Sequence, residues 1–418
     1  MNVAVGKAAT AGDRYPWTLV GLLWCVAFLN AADRSILFTV MPRLRAEFGL
    51  TDLQLALLNS VFFWIYAVAA FVSGNLGDRV RRSRIVIHGL LFWSVATGAV
   101  ALSTGFAMLL ALRGLVALGE ATYYPTATAL ISDWHRPAMR GRALSIHQTA
   151  VFAGAGVGAL AAGLMADALG WRAPFAIFGA TGLLVAAVLF RSLRDAPRAE
   201  AAGASAPLRT VLSNPSALTL CGVFFLATGA AQGISVWAPT FVAEQLGQSL
   251  GGAAFFGAAS IQLAGFLTVP FAGYLGDRLR MRTPVGRFLT LAIGLGAAAV
   301  LLLPLLAAAS AAAVGAILIA TSVGKGLFDG CIYAAMHDVV PAHARATAVG
   351  TMTMVGFLGA GLSPLVIAWT GERFGLAAGI TSMAGLYVVA VLVILLTLGA
   401  TRRAVAANAR DGVAEVFA

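Results

Sequence analysis

Charge, cysteine and histidine are all scarce in this sequence. Only 11% of its residues are charged, three are cysteines and five are histidines. So little charge excludes an ordinary soluble domain, whose surface needs far more of it. Cys25, Cys221 and Cys331 fall inside apolar runs without metal-ligand spacing, which leaves them as small buried apolar residues rather than disulfide or metal partners. His88 and His147 lie within or at the edge of such runs and read as structural. The chain has no nucleophile elbow, phosphate loop or metal-binding cluster, so nothing points to an enzyme, and no cofactor or metal is expected. Long polar segments are missing too. The longest stretch between apolar runs, 191–214, is rich in Ala, Arg and Pro, a linker composition too short for a soluble domain.

What the chain has is apolar length. It is 60% hydrophobic over 418 residues, with 47 glycines. Its runs exceed the roughly 20 residues that cross a bilayer as helix. An all-α integral membrane protein with twelve spans is expected, near 16–41, 52–75, 84–104, 107–132, 141–167, 172–190, 215–241, 249–275, 286–306, 311–338, 345–369 and 375–400. The start, MNVAVGKAATAGDRYPW, lacks a small-residue cleavage pattern, so the first span is expected to be retained.

A net charge of +11 raises nucleic acid as a partner, but its distribution argues for topology instead. With a cytoplasmic N-terminus, all but seven of the 28 Lys and Arg residues fall on the cytoplasmic side. The exceptions are Arg43, Arg45, Arg172 and Arg373 on the opposite side and Arg34, Arg113 and Lys325 within spans. This positive-inside bias places both termini in the cytoplasm and excludes a nucleic-acid role. The setting expected is the inner (plasma) membrane.

The two halves of the chain repeat. GNLGDRVRRSR at 74–84 closes the second span, and GYLGDRLRMRT at 273–283 closes the eighth. GEATYYPTATALISD at 119–133 matches GKGLFDGCIYAAMHD at 324–338, aligning Glu120 with Lys325 and Asp133 with Asp338. Two six-helix bundles, 1–190 and 215–400, are therefore expected around a pseudo-twofold axis along the membrane normal, with a cytoplasmic linker at 191–214 and a cytoplasmic tail at 401–418. In the repeated motif, Gly74, Asp78, Arg79 and Arg82 and their counterparts Gly273, Asp277 and Arg278 are the candidate cytoplasmic gate. Topogenic charge alone accounts for the arginines but not for Gly and Asp at fixed spacing.

The duplicated G-x-x-x-D-R-x-x-R pattern and the R-x-x-x-x-x-G-E of the fourth span resemble the major facilitator superfamily over the whole chain. Arg81 departs from the pattern, which has glycine there. Within that superfamily LNAADRSIL, RGLVALGEATYYP, NPSALTL and ISVWAPTF resemble the spinster-like transporters, which include lysolipid carriers. FFWIYA of the second span and Pro125 after GEATYY are similar to the anion:cation symporter family, whose bacterial members take up sugar acids with protons. These likenesses imply a monomeric secondary active transporter working by alternating access, with protons, the lipid bilayer and an organic anion or lysolipid as its partners.

Six ionisable residues lie well inside spans: Asp33, Arg34, Arg113, Glu120, Lys325 and Asp329. A charge near the centre of a spanning helix costs about 2.5 to 3.5 kcal/mol on insertion scales, so each needs a partner or a wet cavity. Arg113 and Glu120, seven residues apart, share a helical face about 10 Å apart that is expected to line the cavity. Lys325 and Asp329 are spaced to pair within one helix. The family resemblance implies that Asp33 and Glu120 are the proton sites, with Arg34 and Arg113 their charge partners; Lys325 joins these two as a candidate substrate contact. A polar staple fixing helix packing is the competing reading of FLNAADRSILF. Asn30, Tyr123, Tyr124, Gln148, Gln232, Trp237, Asp329 and Tyr333 are candidate cavity groups, and Gly154, Gly156, Gly158 and Gly163 a ladder for close packing of the fifth span.

Overall fold

The computed structural model describes residues 15–76, 80–196, 208–341 and 344–417, and no strand occurs among them. Within these residues twelve helices are long and apolar enough to cross a membrane: Tyr15–Phe48, Asp52–Ala70, Arg82–Val100, Phe106–Trp134, Met139–Leu169, Arg172–Ser192, Pro215–Gln245, Leu250–Arg282, Gly286–Ala307, Ala311–Val339, Arg345–Phe374 and Leu376–Ala406. The count and order match the apolar runs. The described part of the linker holds one short helix, Leu208–Leu212, and the segment expected as a separate tail continues the last helix to Phe417. Cys25, expected to be buried, is exposed, because its helix turns that face outward from the bundle.

The helix ends are chemically marked. Asn214 caps the seventh span by accepting from Ser216 N at 3.0 Å and Ala217 N at 3.1 Å, with Pro215 at the first helical position, where its missing N–H is harmless. Among the described residues four glycines have positive φ: Gly49 at 63°, Gly170 at 86°, Gly247 at 63° and Gly375 at 87°. They close the first, fifth, seventh and eleventh spans in the left-handed conformation that favours glycine. Their angles agree in pairs, first with seventh and fifth with eleventh, as the sequence repeat requires.

The fourth span is broken after Glu120 and resumes at Tyr123. Pro125 has no N–H to offer the Ala121 carbonyl, and Ser73 Oγ of the second span donates to that carbonyl instead, at 3.1 Å. The eighth span also departs from α geometry, with a π turn at Phe255–Ala259.

The first span packs on the fifth, the third on the fourth and sixth, and the second on the fourth; the seventh packs on the eleventh and twelfth, and the tenth on the eighth and ninth. Between these groups the contacts run second to eleventh, fifth to eighth and first to seventh. Trp64 Nε1 donates to the Leu358 carbonyl at 3.2 Å, and the Tyr66 ring lies 4.7 Å from that of Phe357.

The glycine ladder serves two neighbours. Gly154 and Gly158 admit Phe28, Ala31 and Ala32 of the first span, whereas Gly156 and Gly163 admit Ala259, Leu250 and Gly251 of the eighth. A Cβ at Gly158 would overlap both the backbone and the methyl of Ala32. Gly158→Val is therefore expected to destabilise the detergent-solubilised protein by about 1–3 kcal/mol, seen as a lower melting temperature. Gly141→Ala, in an exposed stretch of the same helix with open space around it, should leave the melting temperature unchanged or raise it.

Candidate functional site: a charge cluster behind a cavity wall

Asp33 and Arg34 are adjacent on the first span, so their side chains point about 100° apart and cannot serve as each other's main partner. Arg34 turns toward the fourth span, where its Nε lies 3.0 Å from Glu120 Oε2. Asn30, one turn earlier, holds the guanidinium through its carbonyl at 3.2 Å and through its side-chain oxygen. The guanidinium also sits 5.2 Å from the centre of the Tyr66 ring. Asp33 faces the third span near Trp93 and Thr97 and interacts electrostatically with Arg113 and Arg34. Its Oδ1 is buried without a hydrogen-bond partner. Arg113 stacks 4.5 Å from the Phe62 ring centre, with Nε and Nη2 buried and unbonded. Asp33, Arg34, Arg113 and Glu120 thus form one cluster in which each charge feels the others.

The break in the fourth span matters here. It places Glu120 at the end of a helical segment, where its chain is held by the Ser73 contact rather than by a continuous helix. The face carrying Arg113 and Glu120, expected to line the cavity, is closed: Arg113 is 1% and Glu120 0% exposed. Phe62 and Tyr66 of the second span cover it. Only Arg34 of the four reaches outward, with 18% of its side chain accessible.

In the tenth span Lys325 Nζ binds Asp329 Oδ1 at 2.5 Å and lies 4.9 Å from the Phe328 ring centre, as the four-residue spacing predicted. Tyr333 continues this stripe and interacts electrostatically both with Asp329 and with Tyr124 of the fourth span. Tyr124 in turn donates to Gln148 and feels Arg34.

Two candidate cavity groups are placed elsewhere. Trp237 is fully buried and donates to the Pro364 carbonyl at 3.0 Å, joining the seventh and eleventh spans. Tyr123 is fully buried as well; it donates to the Leu23 carbonyl at 2.5 Å and meets His147 Nε2 at 2.8 Å. Both are amphipathic rings whose polar end found a partner inside the bundle. Gln232 is half-buried.

Asp78 and Arg79 of the candidate gate lie outside the described residues. Gly74 falls in the last turns of the second helix, Asp52–Leu76, and Arg82 pairs with Asp133 at the end of the fourth span. In the second copy Gly273 lies within the eighth span, Arg278 bonds the Tyr274 hydroxyl at 3.1 Å, and Arg287 bridges Asp277 at 2.6 Å and Asp338 at 2.8 Å. In both copies a basic residue of the repeated segment holds the aspartate that ends the fourth or tenth span, Arg82 with Asp133 and Arg280 with Asp338 at 3.1 Å.

Sequence reading missed a third polar region, at the opposite end of the bundle. Arg45 bridges Asp52 and, at 3.2 Å, Glu244 of the seventh span. Asp167 of the fifth span accepts from Leu250 N at 3.0 Å and Gly251 N at 2.8 Å, capping the eighth span from across the interface. In sequence Arg45 is only one of four basic residues outside the positive side. An aspartate near the end of a helix carries no sequence signal of a cap made to another chain segment.

Twelve membrane-length helices around a closed ionic cluster are the architecture of a membrane transporter, as the relatives of this chain bear out. The profile of the Major Facilitator Superfamily matches residues 23–364 and 263–416, and the chain belongs to that superfamily. It is 33% identical to protein spinster homolog 1 of Homo sapiens over 239 residues, 54% of this chain and 45% of that protein. The match thus spans about half the length of that relative. Identity to the hexuronate transporter of Bacillus subtilis is 26% over 402 residues, covering 90% of this chain and 94% of that protein. The fold superposes on a bacterial homologue of the human lysosomal transporter Spinster, crystallised inward-facing and unoccupied, with TM-score 0.82 and 21% identity over 95% of this chain and 98% of that one.

Proposed function

We propose that the protein is a proton-coupled secondary transporter of an organic anion, working by alternating access in the inner membrane with both termini cytoplasmic. The observation that carries this is the Arg34–Glu120 pair: a fully buried carboxylate holds the one guanidinium of the cluster that opens outward. Protonation of Glu120 from the cavity side releases Arg34, and a released guanidinium at the edge of a low-dielectric site binds carboxylate or phosphate bidentately. Proton and anion then bind with positive cooperativity, and linkage makes the effect reciprocal. Asp33, buried beside Arg113, is the second proton site of this scheme.

The positive-inside distribution makes the end bearing Arg45, Asp167 and Glu244 the outer one. In this reading that end is bridged between the two groups of spans, as closure of the outer side requires, and the solved relative was crystallised inward-facing. The near-complete coverage of the hexuronate transporter favours a sugar acid as the anion.

The test is uptake of radiolabelled glucuronate into proteoliposomes with an imposed inward-directed proton gradient, in the presence and absence of a protonophore, with glucuronate, lysophosphatidate and a hydrophobic cation as competitors. Expected is gradient-driven uptake, abolished by the protonophore and competed by the anions alone. Competition by the cation alone would overturn the reading.

A further inference from the structure

Arg81 departs from the superfamily pattern, and the gate contacts do not use it. In the second copy its counterpart Arg280 holds Asp338 at 3.1 Å. In the first copy Arg82 takes that task on Asp133, and among the described residues the guanidinium of Arg81 has no partner. Arg81 caps the third span and heads a stripe along it: Arg81, Arg84, His88, Phe92, Val95 and Ala99 recur at helical spacing on one face. That face turns out of the bundle, since Arg81, Arg84, His88, Phe92 and Val95 are all exposed.

Beside the stripe, Leu112 and Leu115 of the fourth span complete a groove of about 420 Å³ whose walls are hydrocarbon apart from His88. From His88 to Ala99 it runs about 16 Å at 1.5 Å per residue, close to the depth of one hydrocarbon leaflet, about 15 Å. His88 Nδ1 lies 2.8 Å from the Arg84 carbonyl, which can only accept, so Nδ1 carries the proton. Nε2 has no partner among the described residues. Topogenic charge accounts for the arginines but not for a histidine one turn deeper on a lipid-facing stripe, where a polar group is costly. Phe92, midway along the groove, rests against the fourth span just before Glu120: a Cβ on Gly119 would come within 3.0 Å of its ring.

We propose that this groove is a binding site for one anionic phospholipid, of the cytoplasmic leaflet on the topology proposed above. Its phosphate lies between Arg81 and Arg84, its glycerol region meets His88 Nε2, and one acyl chain runs along Phe92, Val95 and Leu115. Each arginine favours an anionic headgroup about fivefold. Each methylene withdrawn from water into the groove adds about fourfold. A zwitterionic lipid carries the same phosphate, but the arginines repel its cationic group. The bound chain backs Phe92, and through it the broken fourth span, so occupancy stabilises the fold.

The experiment is native mass spectrometry of the full chain in detergent, titrated separately with dioleoyl phosphatidylglycerol, dioleoyl phosphatidylcholine and inorganic phosphate, with melting temperature read alongside. Expected is one saturable phosphatidylglycerol, bound at least about tenfold tighter than phosphatidylcholine and raising the melting temperature, while inorganic phosphate does neither. Arg81→Gln with Arg84→Gln should bring the two lipids to equal affinity. Val95→Trp fills the groove and should weaken both lipids about tenfold without changing their ratio, the loss of roughly two buried methylenes. Melting temperatures without lipid check that both variants fold, which their outward-facing side chains permit.

The proposal is overturned if phosphatidylcholine binds the wild type equally well, if phosphatidylglycerol adds without saturating as an annulus would, or if inorganic phosphate alone reproduces the stabilisation. It is overturned as well if the arginine variant keeps the preference or Val95→Trp leaves lipid affinity unchanged. Neither substrate nor proton gradient enters, so the outcome is independent of the transport reading.

Discussion

Glutamine in place of Glu120 will abolish accumulation of substrate against its gradient while sparing exchange. The amide of Glu120→Gln cannot take up and release a proton, so Arg34 loses its ionic partner permanently and stays available to anion in every state of the cycle. On the proposed scheme, acidification of the wild type neutralises Glu120 and so strengthens anion binding, and as pH rises Arg34 is recaptured and affinity falls. Glu120→Gln should bind anion with affinity that no longer depends on pH. The thermodynamic scale is fixed: a gradient of one pH unit stores about 1.36 kcal/mol per proton, about tenfold in accumulation. The variant should forfeit that whole factor, whereas counterflow of labelled for unlabelled substrate persists. Asp33→Asn should lose accumulation as well, leaving Arg113 stacked on Phe62 with Glu120 as the remaining carboxylate of the cluster. If both variants still concentrate substrate under an imposed gradient, the cluster is a packing staple and the proton site lies elsewhere.

Removal of the bridges at the far end will shift the protein toward its other opening. Asp167 supplies two charge-assisted hydrogen bonds to the first turn of the eighth span, and Ser249 Oγ takes the next N–H, of Gly252, at 3.1 Å. In Asp167→Ala those two backbone groups turn to water. Charged hydrogen bonds contribute about 1.5 to 3 kcal/mol each when shielded, and the exposure of Asp167 reduces this to about 1 kcal/mol for the pair. Adding Arg45→Ala removes the link to Glu244. Together the changes should alter the ratio of the two openings by about tenfold, at about 1.4 kcal/mol per decade. Spin labels at Thr51→Cys and Gln248→Cys, in a chain with Cys25, Cys221 and Cys331 replaced by serine, would report the separation by pulsed electron resonance. A longer distance is expected in the double variant. An unchanged distribution would mean that apolar contacts such as Trp64 with the eleventh span hold the closed end by themselves.

Composition made twelve spans legible, because hydropathy over about twenty residues needs no knowledge of neighbours. The repeat was legible for a related reason: identical local tasks at equivalent helix ends select identical residues, as the paired glycine angles show. The members of the charge cluster were visible as costly exceptions in apolar runs. Their partnership was not. Adjacent Asp33 and Arg34 suggest a local pair, yet helical geometry separates them and sends Arg34 to Glu120 in the fourth span. Whether a polar aromatic residue faces a cavity or a carbonyl was equally invisible: Trp237 and Tyr123 look in sequence like Tyr124 but end inside the bundle. The Lys325–Asp329 pair was readable because it needs only its own helix.

The π turn at Phe255–Ala259 sets the register of everything after it. Such a turn takes up one more residue than an α turn, so the rest of the eighth span is rotated by roughly 100° from where an unbroken helix would carry it. Ala259 and Gln262 meet Gly156 of the fifth span in that rotated frame, and Asp277 reaches Arg287 in it too. Deleting a single residue from the turn would regularise the backbone hydrogen bonds and yet point Asp277 away from its arginine. The irregularity is thus a phase setting for the far end of the helix, and straightening it would leave a better helix attached to the wrong neighbours.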